Sequence, residues 1–157
     1  MSPPDLQEHL ASLPPGTAGY VDHLGIAVAD LDAAVRLYRD LLGLQLERLE
    51  DIPQENVRVA FLKLDRQGSP GRVELLAPLS DEGAIARFLA KRGPGLHHIA
   101  IAAHDIQQVM QACQAAGLQL LDETPRLGAG GRRIAFLHPK STGGVLIEIC
   151  SFPPSVK

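Results

Sequence analysis

The chain of 157 residues carries the same sequence pattern twice, and this duplication constrains its fold more than any other feature. The segment YVDHLGIAVADL at 20–31 matches GLHHIAIAAHDI at 95–106, so that His23 aligns with His98. The same offset aligns RVAFL at 58–62 with RIAFL at 133–137, and an offset one residue shorter aligns Glu74 with Glu148. Internal symmetry of this kind predicts two copies of one structural unit.

Each copy has the pattern of a βαβββ unit. In the first, residues 23–28 alternate between bulky apolar side chains and a histidine or small residues, as in a strand. Asp30 then stands at an N-cap position, and apolar residues recur at helical spacing until Gly43 (Leu31, Val35, Tyr38 and Leu42). The second copy repeats this between Asp105 and Gly117. Three further strands are predicted in each copy, at 44–49, 58–64 and 72–76 and at 119–122, 133–138 and 145–150.

The sequence therefore predicts an α+β fold in which two tandem βαβββ modules form a cupped mixed sheet around one site. We expect the modules at residues 20–79 and 95–153, a linking helix at 80–94 and a flexible leader at 1–19. A chain with 45% hydrophobic residues is long enough to bury a core as a single domain.

Composition excludes several classes of function. The formal net charge of −3 gives no general attraction to nucleic acid or to anionic membranes. No apolar run approaches the roughly 20 residues of a membrane helix, and residues 1–20 lack the features of a signal or transit peptide. Cys113 and Cys150 form no CxxC motif, which favours a reducing compartment. We expect a soluble, cytoplasmic protein without nucleic-acid or membrane partners.

Four side chains are candidates for a metal site. If the first strand of each module turns its bulky residues toward the helix, His23 and His98 face the opposite, concave side. Glu74 and Glu148 stand in apolar strands, where an unpaired carboxylate is costly. Two modules related by a pseudo-twofold axis would bring all four together, and such nitrogen and oxygen ligands suit Co, Ni, Mn, Fe or Zn. The alternative is that the duplication simply copied core residues.

Several segments resemble the methylmalonyl-CoA epimerases of the vicinal oxygen chelate superfamily: DHLGIAVADLDAAVRLYRDLLGL, VELLAP, GLHHIAIAAHDI and LGAGGRRIAFLHPKSTGGVLIEI. The likeness extends over nearly the whole chain, and HPK-x3-GVLIE after an LGxGG turn is its most specific part. The resemblance implies an isomerase that interconverts (R)- and (S)-methylmalonyl-CoA by proton abstraction at C2 through a metal-stabilised enolate. It also implies one divalent ion, Co²⁺ before Ni²⁺, Mn²⁺, Zn²⁺ or Fe²⁺, held by His23, Glu74, His98 and Glu148.

The resemblance also suggests roles in catalysis. It implies that Glu148 is both a metal ligand and the catalytic base. Some relatives have a second glutamate where this chain has Val59, so that Glu55, Glu50 or a water would have to replace it. Lys140 and Ser141 are candidates for contact with an acyl-CoA substrate, and we expect a homodimer.

Three other functions remain open. A glyoxalase I-type lactoylglutathione lyase would use the same fold and a similar site, but the HPK-x3-GVLIE segment argues against it. An extradiol dioxygenase needs two histidines and one carboxylate, which leaves one carboxylate unexplained. A drug-binding module of the same superfamily would not need the ligand set that this chain has.

Overall fold

The computed structural model describes residues 14–64 and 71–152, which form one curled, mixed sheet of eight strands with three α-helices. The helices are α1 (Leu31–Val35), which continues as a π-helical segment (Arg36–Leu41), α2 (Ala84–Arg92) and α3 (Ile106–Ala115). The strands are β1 (Thr17–Ala27), β2 (Gln45–Ile52), β3 (Val57–Lys63), β4 (Arg72–Pro78), β5 (Gly95–Ala103), β6 (Arg126–Leu127), β7 (Arg133–Leu137) and β8 (Ile147–Ser151).

The order of the strands shows the duplication directly. It is β2-β3-β4-β1-β5-β8-β7-β6, so that each half presents its strands in the same sequence outward from the centre. β1 is parallel to β4 and β5 is parallel to β8, whereas β1 and β5 run antiparallel and join the halves. The α+β class with a cupped mixed sheet is thereby confirmed.

The helices begin where the sequence predicts. Asp30 accepts a hydrogen bond from the amide of Ala33 at 2.9 Å, and Asp105 accepts from the amides of Gln107 and Gln108. One core cluster joins the first helix to its half of the sheet through Val28 and Val35, and another joins Ile106 and Met110 of α3 to the second half. Each half therefore buries one face of its sheet under its own helix and leaves the other face for the site.

The first helix differs from its sequence pattern at its end. Leu42 has α-helical spacing from the buried residues of this helix, but 58% of it is exposed. The helix becomes π-helical at Arg36, and the amide of Leu42 bonds to the carbonyl of Leu37, five residues earlier. The wider turn changes the spacing, so an α-helical pattern no longer predicts which face is buried.

The predicted strand at 119–122 is wrong. Residues 119–121 pair with β7 only through an isolated bridge between Leu120 and Leu137 and two neighbouring backbone hydrogen bonds. The next amide of β7, that of Phe136, donates instead to the carboxylate of Asp122 at 2.8 Å. This side chain takes the place of a backbone acceptor, and the chain pairs with β7 again only at Arg126 and Leu127.

Other boundaries shift by a few residues. β1 begins at Thr17, before the expected module boundary at residue 20, and α2 occupies only the centre of the expected linking segment at 80–94. Residues 1–13 of the expected leader lie outside the described residues. Within the described part of the chain, no helix is both long enough and apolar enough to cross a membrane.

Candidate metal centre and active site

A cavity of about 190 Å³ opens on the concave face of the sheet, where the two halves meet. Its walls are mostly apolar and include Val59, Ile134 and Phe136, while carboxylates and imidazoles stand at its base. A small apolar cavity with a few convergent polar groups is the usual form of a small-molecule site. The ionisable residues of the lining are Glu55, Glu74, His97, His98, Arg126 and Glu148.

The structure brings the four candidate ligands together. The Nε2 atoms of His23 and His98 lie 3.0 Å apart, although the residues are 75 positions apart in the chain. Glu148 places one carboxylate oxygen 3.6 Å from Nε2 of His23 and the other 3.4 Å from Nε2 of His98. Glu74 lies 3.5 Å from Nε2 of His23. All four residues are at least 95% buried.

Strand register explains this convergence. Gly25 of β1 pairs with Glu74 on one side and with His98 on the other. Ala100 of β5 pairs in the same way with His23 and Glu148. Gly25 and Ala100 are related by the same 75-residue offset as the histidines. Each of them is flanked by two of the candidate ligands, one from each half of the chain.

Gly25 provides the space that His98 occupies. A β-carbon at this position would come within 2.6 Å of Nε2 of His98, well inside van der Waals contact. The imidazole therefore lies directly on the backbone of the neighbouring strand. Any larger residue at position 25 would have to displace it.

Burial shifts the pKa values of the two carboxyl groups upward. Desolvation raises the pKa of Glu148 to about 8, despite the opposing charge of His23, and burial also raises the pKa of Glu74. Both groups are held in an environment that disfavours their charge unless a cation is close.

The pKa values of the two imidazoles shift in opposite directions. Burial lowers the pKa of His23, but the hydrogen bond that its Nδ1 donates to Asp22 and the charges of Glu74 and Glu148 outweigh this effect and raise that pKa to about 10. Burial, together with the charges of His23 and His97, lowers the pKa of His98 well below its usual value. His23 therefore holds a second ring proton much more strongly than His98 does.

The donor set fits a divalent metal ion. One ligand atom each from His23, His98 and Glu148 lie within 4.8 Å of one another, as ligands of one ion must. Glu74 is not part of this group, but its oxygen is within reach of His23. Two imidazole nitrogens with carboxylate oxygens and no thiolate are suited to first-row divalent metals.

A second group of potential ligands, Asp22, His23 and Cys150, is already occupied by protein contacts. Arg132 donates to Asp22, and its guanidinium also lies 3.8 Å from the sulfur of Cys150. A fixed cation at this place leaves little reason for a metal ion. The sequence pattern gives no sign of the buried pair of Asp22 and Arg132, which are 2% and 6% exposed.

Some of the remaining predicted residues line the cavity and others lie outside it. Val59 lines it, as does Glu55, whose carboxylate accepts from Arg126 at 2.5 Å. Glu50 lies outside, near Arg48 and the amide of Gly130. Lys140 and Ser141 lie in a turn beyond the cavity lining, and the hydroxyl of Ser141 accepts a hydrogen bond from the amide of Gln119.

Comparisons with known proteins agree with this fold. Residues 22–136 match the family model described as the glyoxalase/bleomycin resistance protein/dioxygenase superfamily. The chain is 38% identical over 133 residues to an ethylmalonyl-CoA/methylmalonyl-CoA epimerase of Cereibacter sphaeroides, covering 83% of this chain and 96% of the relative.

Among solved structures, the chain is also similar to methylmalonyl-CoA epimerases. A methylmalonyl-CoA epimerase from Mycobacterium tuberculosis shares 40% identity with a TM-score of 0.83, over 90% of this chain and 93% of that one. A methylmalonyl-CoA epimerase in complex with methylmalonyl-CoA and NH4+ shares 37% identity with a TM-score of 0.81, over 88% and 96% of the chains.

The curled sheet of two repeated modules and the matched family model place this chain in the glyoxalase/bleomycin resistance protein/dioxygenase superfamily. Within that superfamily, the extent and identity of the matches show that it belongs to the methylmalonyl-CoA epimerase family.

Proposed function

We propose that this protein is an isomerase that interconverts (R)- and (S)-methylmalonyl-CoA by exchanging the proton at C2. The proposal rests on the convergence of His23, His98 and Glu148, of which His98 and Glu148 line a small apolar cavity. The family membership of the chain supports the same reaction. C2 lies between a thioester and a carboxylate, so removing its proton creates negative charge on the thioester oxygen that the site must stabilise.

We assign the base to Glu148. Its carboxylate lines the cavity, and in the metal-free protein burial raises its pKa to about 8, so that it binds a proton more strongly than an exposed glutamate does. A cation held at the site would favour the charged carboxylate, which is the form that accepts the C2 proton. The apolar walls around it exclude bulk water, which strengthens electrostatic interactions with the developing charge. His23, His98 and Glu74 complete the polar base of the site.

We further propose that His23, Glu74, His98 and Glu148 hold one divalent cation, with Co²⁺ as the first candidate. A cation held there would act as a Lewis acid toward the oxygen on which negative charge develops. The buried carboxylates support this assignment, because their negative charge needs a compensating cation. The facing Nε2 atoms of His23 and His98 would offer lone pairs to the same ion. We also propose that the protein is a cytoplasmic homodimer. Its composition and its resemblance to the family lead to this proposal and to the choice of Co²⁺.

The acyl group and the coenzyme A portion would have different contacts. The cavity suits the short methylmalonyl group, since its base carries the polar side chains and its walls are apolar. Lys140 and Ser141 lie beyond the cavity lining, which suits contact with the coenzyme A portion. A glyoxalase-type reaction remains the alternative for this donor set, and an assay for lactoylglutathione formation separates the two activities.

The test is proton exchange at C2 of methylmalonyl-CoA in heavy water, followed by NMR. We expect wild-type protein with Co²⁺ to exchange this proton, and Glu148→Gln to lose at least about 10²-fold in rate because the base is removed. Glu74→Gln is the matched control, since it keeps an oxygen ligand and is expected to retain exchange. Equal rates in wild type and Glu148→Gln would contradict the assignment.

A further inference from the structure

The residue immediately before each histidine of the site contacts that histidine. Asp22 Oδ1 lies 2.8 Å from Nδ1 of His23, and Nδ1 of His97 lies 2.9 Å from Nδ1 of His98. In both cases the contact is made by the ring nitrogen that faces away from the site. Neighbouring residues of a regular strand cannot make such a contact, because their side chains point to opposite faces of the sheet.

A β-bulge in each strand makes the contact possible. The pairing of β1 with β5 shifts by one residue between Val21 and His23, which places an extra residue, Asp22, in β1. It shifts again where Gly25 pairs with His98 and Ile26 pairs with Leu96, which places the extra residue, His97, in β5. Bulges are known to redirect side chains beside functional sites.

The two bulges are equivalent positions in the duplicated fold. Asp22 and His97 are separated by 75 residues, the same offset that relates His23 to His98. The residue type differs between the halves, whereas the bulge and the contact with Nδ1 are the same.

We propose that Asp22 and His97 are positioning residues that hold the proton of the following histidine on Nδ1 and direct its Nε2 lone pair toward the metal. This inference rests on the metal role proposed above for His23 and His98. A ligating histidine must offer one nitrogen without a proton, and a hydrogen bond from the other nitrogen selects that tautomer and fixes the ring. The Nδ1 atom of His97 is then the acceptor, and its own proton is on Nε2.

The two positioning residues are held differently. Asp22 receives a hydrogen bond from Arg132, and the pair is buried at 2% and 7% exposure. His97 has no partner of opposite charge among its described contacts, and its ring packs edge to face on Phe88 with centroids 5.0 Å apart. Because a carboxylate is a stronger acceptor than an imidazole, His23 becomes the more basic of the two ligands.

The first test measures Co²⁺ binding by calorimetry, with the visible absorption of bound Co²⁺ as a second readout and no substrate present. His97→Phe keeps an aromatic ring against Phe88 and removes the acceptor, so we expect a 10- to 100-fold loss of affinity, as is typical when such an outer contact is lost. His97→Asn places an amide oxygen near the position of Nδ1 and is expected to restore most of the affinity. Wild-type affinity in His97→Phe would overturn the proposal for this residue.

The role of Asp22 in the first half is tested by a substitution with a matched control. Asp22→Asn keeps the size and an acceptor oxygen but removes the charge, and we expect a loss of about 10-fold in Co²⁺ affinity. Asp51→Asn, which removes a carboxylate from an exposed ion pair with Arg58, is the control and should bind as wild type does. Equal affinities in Asp22→Asn and Asp51→Asn would overturn the role of Asp22.

The second test does not depend on bound metal. Long-range ¹H–¹⁵N NMR of chelator-treated wild type shows which ring nitrogens carry protons, and we expect Nδ1 for His98 and Nε2 for His97. The reverse arrangement would overturn the proposal. Failure of the wild type to bind Co²⁺ would contradict the proposed metal role, whereas unchanged binding in His97→Phe contradicts only the positioning role, so the two failures are distinguishable.

Discussion

Gly25 and His98 lie in direct contact across the central strand pair, where the backbone of Gly25 supports the imidazole. A β-carbon on residue 25 would come within 2.6 Å of Nε2 of His98. We therefore expect Gly25→Ala to displace the ring, reduce Co²⁺ affinity and lower C2 exchange at least about 10-fold, since a small misplacement of a ligand has large effects on a site.

Gly95→Ala is the control for this substitution. Gly95 also lies in the central strand pair, opposite Ala27, but a β-carbon there would meet no atom within 4 Å. We expect this variant to bind Co²⁺ and to exchange the C2 proton as the wild type does. If Gly25→Ala behaves like Gly95→Ala, the contact with His98 does not position the ligand.

The stability of the metal-free protein should fall as the pH rises from about 6 to about 9. Burial raises the pKa of Glu148 to about 8, and the pKa of His23 is raised to about 10, above the ordinary values of 4.5 and 6.5 that hold in the unfolded chain. The folded state therefore binds more protons than the unfolded state in this range, and stability decreases with pH. Urea unfolding of chelator-treated protein at several pH values measures the slope.

Glu148→Gln should make this slope shallower, because it removes one of the groups whose pKa is raised on folding. Bound Co²⁺ should reduce the slope as well, since it replaces those protons. A stability that rises with pH over the same range in the metal-free wild type would contradict the protonation of Glu148 and His23 in the folded state.

The buried pair of Asp22 and Arg132 should contribute strongly to stability. Arg132→Met leaves a buried carboxylate without its cation, and loss of one partner of a buried ion pair costs about 3 to 5 kcal/mol. Arg58→Met, which breaks the exposed ion pair with Asp51, should cost less than about 1 kcal/mol. Urea unfolding compares the two variants, and equal losses would show that the buried pair has no special role.

Glu55 is the better candidate for the proton exchange on the second face of C2. It lines the cavity beside Val59, whereas Glu50 lies outside the lining. We expect Glu55→Gln to slow epimerisation at least about 10²-fold and Glu50→Gln to leave it within about 3-fold of wild type. Full activity in both variants would instead assign the second proton transfer to water.

Part of this structure could be predicted from the sequence. The repeated pattern around His23 and His98 was sufficient for the α+β class, the two modules and the caps at Asp30 and Asp105, because alternation and capping are local signals. The strand at 119–122 was predicted wrongly, because apolar content in that segment does not reveal that the carboxylate of Asp122 replaces a backbone acceptor.

The surroundings of the site could not be predicted in the same way. The contact of Arg132 with Asp22 joins residues 110 positions apart, and the contact of Asp22 with His23 depends on a bulge that changes which face a side chain occupies. Neither has a local signal in the sequence. The need for a glycine at position 25 has no local signal either, because it arises from contact with His98 on the neighbouring strand.

Both halves of the chain contribute residues to the proposed metal site, at which the C2 proton would be exchanged. The most direct measurement is the rate of C2 exchange of methylmalonyl-CoA as Co²⁺ is added stepwise to chelator-treated protein. We expect no exchange above background before addition and a linear rise that ends at one Co²⁺ per chain. Full exchange without added metal, in protein shown to contain none, would contradict the account.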